Sequence, residues 1–215
     1  MGGDAPGPSE QLAEVVAARL CHDLSGPLSI ITNAAEVARL EAGREDGQAM
    51  ALMLEGGRGI ADRVKLLRAL FGPPVGPLSA GELGTLTRAA LGGGRVVVDL
   101  SAIPANSVFP AAAARALLAA IAVAAEALPR GGTIRCLGSA EDFAVAVEGA
   151  GARWPEHLTA VLAGADPVAT AVEGGARGLM GPWLALTARA AGLAPALLMG
   201  GSVPLLRLAR AEAFA

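Results

Sequence analysis

A proline-rich segment divides this sequence into two parts with different patterns of apolar residues. Three prolines fall within the six residues 72–77, and a helix cannot continue through them because proline lacks a backbone N–H and clashes with the preceding turn. Before this segment apolar residues recur at helical spacing, and beyond it helical and strand patterns alternate. We therefore predict a disordered tail at 1–8, a helical hairpin at 9–71, a linker at 72–78 and an α/β domain at 79–215.

The apolar positions of residues 9–71 predict two antiparallel helices. Ser9 is expected to cap a first helix that runs to about residue 40, and a second helix is expected to end at Phe71 after a turn at 41–47. Apolar residues of the second helix alternate at spacings of three and four, as in a coiled-coil seam: Met50, Met53, Gly57, Ile60, Val64, Leu67 and Phe71. Two helices alone cannot bury both apolar stripes, so we predict a homodimeric four-helix bundle, with close helix approach at Gly56-Gly57.

The first helix is predicted to turn His22 outward. One apolar stripe is expected to be its buried face: Val16, Leu20, Leu24, Leu28, Ile31, Ala35 and Ala38. His22 lies on the opposite side, because Leu20 and Leu24 are each two positions away at about 100° per residue. Small and polar residues share its side at helical spacing, with Asp23 one step round: Arg19, Gly26, Ser29 and Asn33. Another protein could lie close to such a surface.

The second part of the chain predicts a mixed α/β fold. Ser79 and Glu82 form a capping box that opens a helix to about Leu91. Further strands are predicted at 95–100, 133–137 and 143–147, further helices at 109–128, 154–162 and 179–191, and a closing hairpin at 193–199 and 203–208 around Gly200-Gly201. This order predicts a two-layer α/β sandwich, and the whole chain is predicted to be of the α+β class.

Composition excludes several classes of function. A net charge of -3 and 17% charged residues leave no electrostatic footprint for nucleic acid or an anionic membrane. The most apolar run, 116–125, has about half the length of a bilayer span, and no signal-peptide pattern is visible, so we expect a cytoplasmic protein. Cys21 and Cys136 are isolated thiols, which suits a reducing compartment. With only His22 and His157 as imidazoles, a zinc site is not expected.

The residues around His22 resemble a phosphorylation motif of two-component signalling. The H-E-x-x-x-P-L pattern in the H-box of histidine kinases is matched, with Asp for Glu, at His22, Asp23, Pro27 and Leu28. With the preceding residues 17–21 and the later segment 125–132, the sequence is more similar still to the ChpT-type histidine phosphotransferases of alphaproteobacterial phosphorelays. The resemblance covers nearly the whole chain, strongly at these two motifs and loosely between them.

This resemblance implies a shuttle for phosphoryl groups. His22 would carry the group as a neutral imidazole, and Asp23 would hold the other ring nitrogen. The candidate residues for binding a receiver domain are Arg19, Ser25, Gly26, Ser29 and Asn33. By analogy the donor would be the receiver domain of a CckA-like hybrid histidine kinase, and the acceptors would be CtrA-like and CpdR-like response regulators. The receiver would bring the magnesium that the transfer needs, so no metal or cofactor is expected on this chain.

The α/β part resembles the Bergerat-like ATP-binding domain of histidine kinases without its chemistry. Kinases hold magnesium through an Asn on the helix that corresponds to 109–128, whereas the asparagines here are Asn33 and Asn106. The adenine-binding D-x-G-x-G motif would fall at 147–151, where the carboxylate is either displaced, to Glu148, or lost. We therefore expect a degenerate domain without ATP-dependent autokinase activity. An active kinase with a divergent ATP site and a non-enzymatic, receiver-binding pseudokinase scaffold remain as alternatives.

Two further features of the α/β part carry weaker signals. The glycines at 174–175 and 178–181 are expected to be loop glycines and not a phosphate-binding loop. His157 follows Trp154 and Pro155 at the start of a predicted helix and lacks the flat face that a receiver must cover. His22 is therefore expected to be the sole phosphoryl carrier.

Overall fold

The computed structural model describes residues 6–40, 47–73, 76–91, 95–199 and 203–210. The helices are α1 (Pro8–Leu40), α2 (Gly47–Phe71), α3 (Ala80–Leu91), α4 (Ala111–Glu126), α5 (Glu156–Leu162), α6 (Pro167–Gly178) and α7 (Met180–Ala190). The strands are β1 (Leu78–Ser79), β2 (Val96–Ala102), β3 (Val108–Phe109), β4 (Gly132–Gly138), β5 (Asp142–Glu148), β6 (Leu193–Leu198) and β7 (Leu205–Arg210). The predicted α+β class is confirmed. Most of the predicted tail and of the turn at 41–47, and the Gly200-Gly201 turn, lie outside the described residues.

Helices α1 and α2 form the predicted hairpin and approach closely at Gly56. This glycine is buried, and a Cβ atom there would lie 2.7 Å from Cγ1 of Ile31 on α1. At Gly57 a Cβ atom would meet no other atom within 4 Å. The expected close approach is therefore confirmed at the first glycine of the pair, because only a residue without a side chain fits against Ile31.

Helix α1 starts two residues before the position that a cap at Ser9 predicts. The helix begins at Pro8, so Ser9 lies inside it and does not cap it. The backbone N–H of Gly7 donates a hydrogen bond to Oε2 of Glu10 at 2.8 Å. Proline is well suited to the first helical position because its missing N–H would have no partner there.

The apolar stripe predicted for α1 is only partly buried within one chain. None of the stripe residues is fully buried: Leu20 and Leu24 are half-buried and Leu28 is 55% exposed, whereas the neighbouring Val15 and Ala34 are buried. The first half of α1 packs on the α/β part, where Val15 joins Ala171 and Leu179 in a small apolar cluster. Large apolar side chains of the hairpin remain exposed: Leu28, Ile30, Val37, Met50, Leu52, Leu54 and Val64. The hairpin thus carries an apolar surface that the described part of its own chain does not cover.

A mixed five-stranded sheet forms one layer of the α/β part. The strand order is β2-β4-β5-β7-β6, with β2 parallel to β4 and the other pairs antiparallel. Helix α4 is buried along nearly its whole length, as expected for a helix that is apolar on every side. Phe109 and Phe143 pack edge to face in this core, with ring centroids 6.3 Å apart.

The capping box of α3 forms as predicted. The N–H of Ser79 donates to Oε2 of Glu82 at 2.8 Å, and the N–H of Glu82 donates to Oγ of Ser79 at 3.3 Å. The hydrogen bonds from the Ser79 backbone and hydroxyl lower the pKa of Glu82. Local sequence therefore fixes the point where the chain re-enters a helix after the linker.

Helix α6 is absent from the sequence prediction, and three of the expected loop glycines, Gly174, Gly178 and Gly181, lie in helices α6 and α7 instead. The helix starts after Asp166, whose Oδ1 accepts a hydrogen bond from the N–H of Ala169 at 2.8 Å. Pro167 occupies its first turn. Gly175, with a φ of 56°, interrupts the helical geometry in a conformation that glycine adopts at little cost.

The end of α2 is fixed to the α/β part by polar and aromatic contacts. Nε1 of Trp183 on α7 donates to the carbonyl of Leu70 at 3.1 Å. The ring centroids of Trp183 and Phe71 lie 5.0 Å apart. Arg115 on α4 donates a hydrogen bond to the carbonyl of Gly72. These contacts hold the hairpin against α4 and α7, so that the middle of α1 faces the end of α4.

Candidate functional site

His22 lies in the middle of α1 with an imidazole that solvent can reach. Its side chain is 52% exposed. Leu20 and Leu24, on the opposite side of the helix, are half-buried. An exposed imidazole on a regular helix is open to approach by the active site of a second protein.

Asp23 contacts one of the two ring nitrogens of His22. Oδ1 of Asp23 lies 3.1 Å from Nδ1 of His22. Because a carboxylate accepts hydrogen bonds, this contact assigns the ring proton to Nδ1 and leaves the lone pair of Nε2 free. A neutral imidazole in this tautomer can act as a nucleophile at Nε2. The family resemblance implies that Asp23 orients the imidazole of His22, and this contact with Nδ1 is the one that such a role requires.

Pro27 removes one backbone hydrogen bond from the helix beside this pair. It lies inside α1 and has no N–H, so the carbonyl of Asp23 lacks its usual helical partner. The hydroxyl of Ser25 donates to the carbonyl of Cys21 at 2.7 Å, and that of Ser29 donates to the carbonyl of Ser25 at 2.9 Å. Both serines therefore direct their hydroxyl hydrogens into the helix and leave oxygen lone pairs as their free polar groups.

Gly26 and Asn33 lie on α1 at different distances from His22. A Cβ atom at Gly26 would meet nothing within 4 Å, so the surface one turn beyond His22 is open. Asn33 is exposed and lines a groove of about 380 Å³ with Ile30, Val37 and residues of α2. It lies 11 residues from His22, which is about 16 Å along the helix axis. A partner that contacts both His22 and Asn33 must cover three turns of α1.

Arg19, expected to contact a receiver, is bonded to three groups of its own chain. Its Nε atom donates to Oδ2 of Asp23 at 2.9 Å, and its Nη1 atom donates to Oε1 of Glu126 at 2.6 Å and to the carbonyl of Ala176 at 3.1 Å. The side chain is only 14% exposed. Burial alone would lower the pKa of Arg19, but attraction to Glu126 and Asp23 outweighs burial and raises it. The guanidinium therefore joins the hairpin to the end of α4.

His22 borders a cleft of about 620 Å³ between α1 and the α/β part. The cleft is also lined by charged and ionisable residues: Arg19, Glu126, Arg153, Glu156, His157 and Arg177. Arg153 and Arg177 are exposed, and within the described ranges neither guanidinium has an ion-pair partner. Arg153, Glu156 and Arg177 stand in no sequence pattern that places them beside His22. Glu126 offered one signal, since it stands in the second motif that carries the family resemblance.

Two described places correspond, by the resemblance, to the magnesium-binding and adenine-binding positions of kinases: helix α4 and Glu148. Among the described residues, no three or more His, Cys, Asp or Glu side chains group in a way that could hold a metal ion. Helix α4 carries no asparagine. Glu148, the displaced acid of the adenine motif, ends β5 and pairs with Arg135 of β4 at 3.1 Å. This carboxylate is therefore engaged on the sheet.

Fold and site define an α+β protein with an outward histidine on its helical hairpin, and comparison with known proteins gives the family. The histidine phosphotransferase C-terminal domain family matches residues 80–203, and the chain belongs to this histidine phosphotransferase family, in its ChpT type. It is 28% identical over 169 residues to the protein phosphotransferase ChpT of Brucella abortus (strain 2308), covering 73% of this chain and 76% of that one.

A solved structure shares the fold over almost the whole chain. It is described as a bacterial phosphotransferase and matches with a TM-score of 0.73 at 22% identity. The match covers 92% of this chain and 95% of that one. Both the helical hairpin and the α/β part therefore belong to the shared fold. None of the described helices combines the length and hydropathy that a bilayer crossing requires.

Proposed function

We propose that this chain is a phosphorelay intermediate in which His22 accepts a phosphoryl group from one receiver domain and passes it to another. The observation that carries this proposal is the contact between Asp23 and Nδ1 of His22, which leaves Nε2 free on an exposed helix surface. The name of the Brucella relative, a protein phosphotransferase, supports the same activity. By family analogy the donor is the receiver of a CckA-like hybrid kinase, and the acceptors are CtrA-like and CpdR-like regulators.

The transfer is a displacement at phosphorus by the free ring nitrogen. Nε2 of His22 forms the N–P bond while the P–O bond to the aspartate of the receiver breaks, and that aspartate leaves as a carboxylate. The proton stays on Nδ1, and the positive charge that the ring gains faces the carboxylate of Asp23. The reverse displacement, by the aspartate of a second receiver, discharges His22. The magnesium ion is supplied by the receiver in both steps.

Two arginines supply positive charge on the cleft that His22 borders. Arg153 and Arg177 are exposed and have no ion-pair partner among the residues described. Guanidinium groups suit phosphate and carboxylate partners because their donors match two oxygens at once. An incoming aspartyl phosphate would therefore meet free cationic groups on the α/β side and the nucleophile on the α1 side.

The exposed apolar surface of the hairpin supports a homodimer. Ile30, Val37 and Leu52 are 50%, 46% and 44% exposed in the single chain and line one groove of the hairpin. A contiguous apolar surface of this kind is rare on a soluble monomer, and a second copy of the hairpin would bury it as a four-helix bundle. Light scattering should report twice 21.3 kDa. A monodisperse monomer at micromolar concentration would contradict the bundle.

The two alternatives are separated by nucleotide binding and by phosphorylation. The proposed function needs no ATP, so calorimetry with Mg-ATP should show no heat of binding. Binding tighter than about 100 micromolar, which is about -5.5 kcal/mol, with labelling of His22 from ATP alone, would indicate an active kinase. A chain that binds receivers but never gains a phosphohistidine would be the scaffold.

The direct test is phosphotransfer between two purified receivers. A receiver domain from the same bacterium, charged with acetyl phosphate and Mg²⁺, should label this chain, and a second receiver should then remove the label. Asp23→Asn should slow labelling while receiver binding persists, because the amide no longer favours the Nδ1–H tautomer. Receiver domains act in the cytoplasm, and the free thiols Cys21 and Cys136 suit that compartment.

A further inference from the structure

The ion pairs around Arg19 join the phosphoryl-accepting helix to a distant part of the chain. Asp23 and Glu126 are separated by about a hundred residues, yet both accept hydrogen bonds from Arg19, at 2.9 and 2.6 Å. The side chains of Asp23 and Glu126 are 11% and 22% exposed. Both carboxylates therefore depend on this one guanidinium for much of their stabilisation.

Helix α4 itself does not stabilise the negative charge of Glu126. It is the last residue of α4, and the last turn of that helix contains no basic residue. A negative charge at a helix C-terminus is unfavourable because the helix dipole is negative there. The contacts that offset this cost are tertiary ones, to Arg19 and to His157.

His157 is fixed on the far side of Glu126. Its Nδ1 atom accepts a hydrogen bond from the N–H of Gly181 at 3.1 Å, so its ring proton is on Nε2. Nε2 lies 3.2 Å from Oε2 of Glu126, close enough for electrostatic attraction but outside hydrogen-bond geometry. A Cβ atom at Gly181 would lie 2.5 Å from Nδ1 of His157, so α5 and α7 meet here only because this residue is glycine.

We propose that Glu126 and His157 are positioning residues for phosphotransfer, which hold Arg19 against Asp23 and thereby hold His22 in the Nδ1–H tautomer. This inference deepens the proposed function and rests on it. The chain of contacts runs from His157 through Glu126, Arg19 and Asp23 to His22. Through these contacts the α/β part keeps Nε2 of His22 unprotonated and able to act as the nucleophile.

A purely structural clamp predicts different behaviour for the same contacts. Such a clamp would fasten α1 to α4 and contribute to the free energy of unfolding, but the ring of His22 would be indifferent to Glu126. Positioning requires that a change at Glu126 be felt at the His22 ring nitrogens. The tautomer of His22 therefore discriminates between the two roles.

The first experiment reads this tautomer by NMR of the full-length protein. The chain contains two histidines, so ¹⁵N-labelled imidazoles give two sets of signals, which the variant His157→Ala assigns. Wild-type His22 should show a protonated Nδ1. In Glu126→Gln the two tautomers of His22 should approach the balance of an unrestrained imidazole. The matched control is Glu173→Gln, which removes the same charge from an exposed position of α6.

The second experiment is a double-mutant cycle on the transfer rate. Glu126→Gln should slow transfer from the charged receiver about tenfold or more, the size of effect found when a partner that orients a metal-binding imidazole is removed. In an Asp23→Asn background the same change should have almost no further effect, because Glu126 acts through Asp23. His157→Ala should slow transfer less, since its contact with Glu126 is weaker. Glu173→Gln should leave the rate unchanged.

The results distinguish a failure of the positioning role from a failure of the proposed function. An unchanged rate and tautomer in Glu126→Gln would overturn the proposal, even if unfolding experiments showed a loss of stability. Additive effects in the cycle would also overturn it, because Glu126 would then act independently of Asp23. If the wild-type chain accepts no phosphoryl group, the proposed function fails, while the tautomer measurement still decides whether Glu126 orients His22.

Discussion

Removing Arg19 should cost far more stability than removing an exposed arginine of the same helix. Arg19→Gln deletes charge-assisted hydrogen bonds to Asp23 and Glu126, each worth about 1.5–3 kcal/mol in a shielded setting. It also leaves two poorly exposed carboxylates near each other, and breaking a buried ion pair costs about 3–5 kcal/mol. Water still reaches the cluster, since Glu126 is 22% exposed. We therefore expect a net loss of about 2–4 kcal/mol in the free energy of unfolding.

The control for this prediction is Arg39→Gln. Arg39 pairs with Glu36 at 2.7 Å on α1, but the two side chains are 69% and 59% exposed, so the loss should not exceed about 0.5 kcal/mol. Urea unfolding followed by circular dichroism, at one fixed protein concentration, gives both values. Arg19→Lys should recover only part of the loss, because an ammonium group lacks the planar fork that contacts both acids. Equal stability of the Arg19 and Arg39 variants would refute this account of the cluster.

Two further predictions follow from the packing. Gly59→Ala adds a methyl group in open space and should raise the free energy of unfolding by about 0.5–1 kcal/mol. Gly56→Ala forces the same group against the stiff side chain of Ile31 and should lower the free energy of unfolding by about 1 kcal/mol or more. Thermal unfolding tests both variants, and equal melting temperatures would contradict this prediction. Iodoacetamide should alkylate exposed Cys21 in the native protein, whereas burial, with a smaller effect of Asp99, raises the pKa of Cys136 to about 12, so this thiol should react only after unfolding; mass spectrometry checks both.

Local sequence signals predicted much of the fold. The capping box of Ser79 and Glu82 gave the start of α3, and apolar alternation gave β4 and β5 within a residue at each end. Helix α6 was missed because glycines at 174, 175 and 178 weigh against a helix. Its start signal was nevertheless present, since Asp166 followed by Pro167 is a typical helix opening.

The sequence predicted His22 and Asp23 of the site but not the contacts that Arg19 makes with other parts of the chain. His22 and Asp23 are neighbours on one helix, so their spacing and the family resemblance were enough to single them out. The contact between Arg19 and Glu126 joins residues 107 positions apart, and no periodicity along one helix can predict it. Arg19 was correctly placed on the same side of α1 as His22, but its three partners within the chain became visible only when α4 and α6 were in place.

The measurement that tests the central claim most directly is the location of the phosphoryl group after transfer from a charged receiver. Label should appear on the wild-type chain and on His157→Ala, where it accumulates more slowly, and peptide mapping should place it on His22. His22→Ala should remain unlabelled while it keeps the wild-type unfolding profile, because this side chain points outward and surface substitutions usually cost under about 0.5 kcal/mol. Labelling of His22→Ala at the wild-type rate would contradict the account.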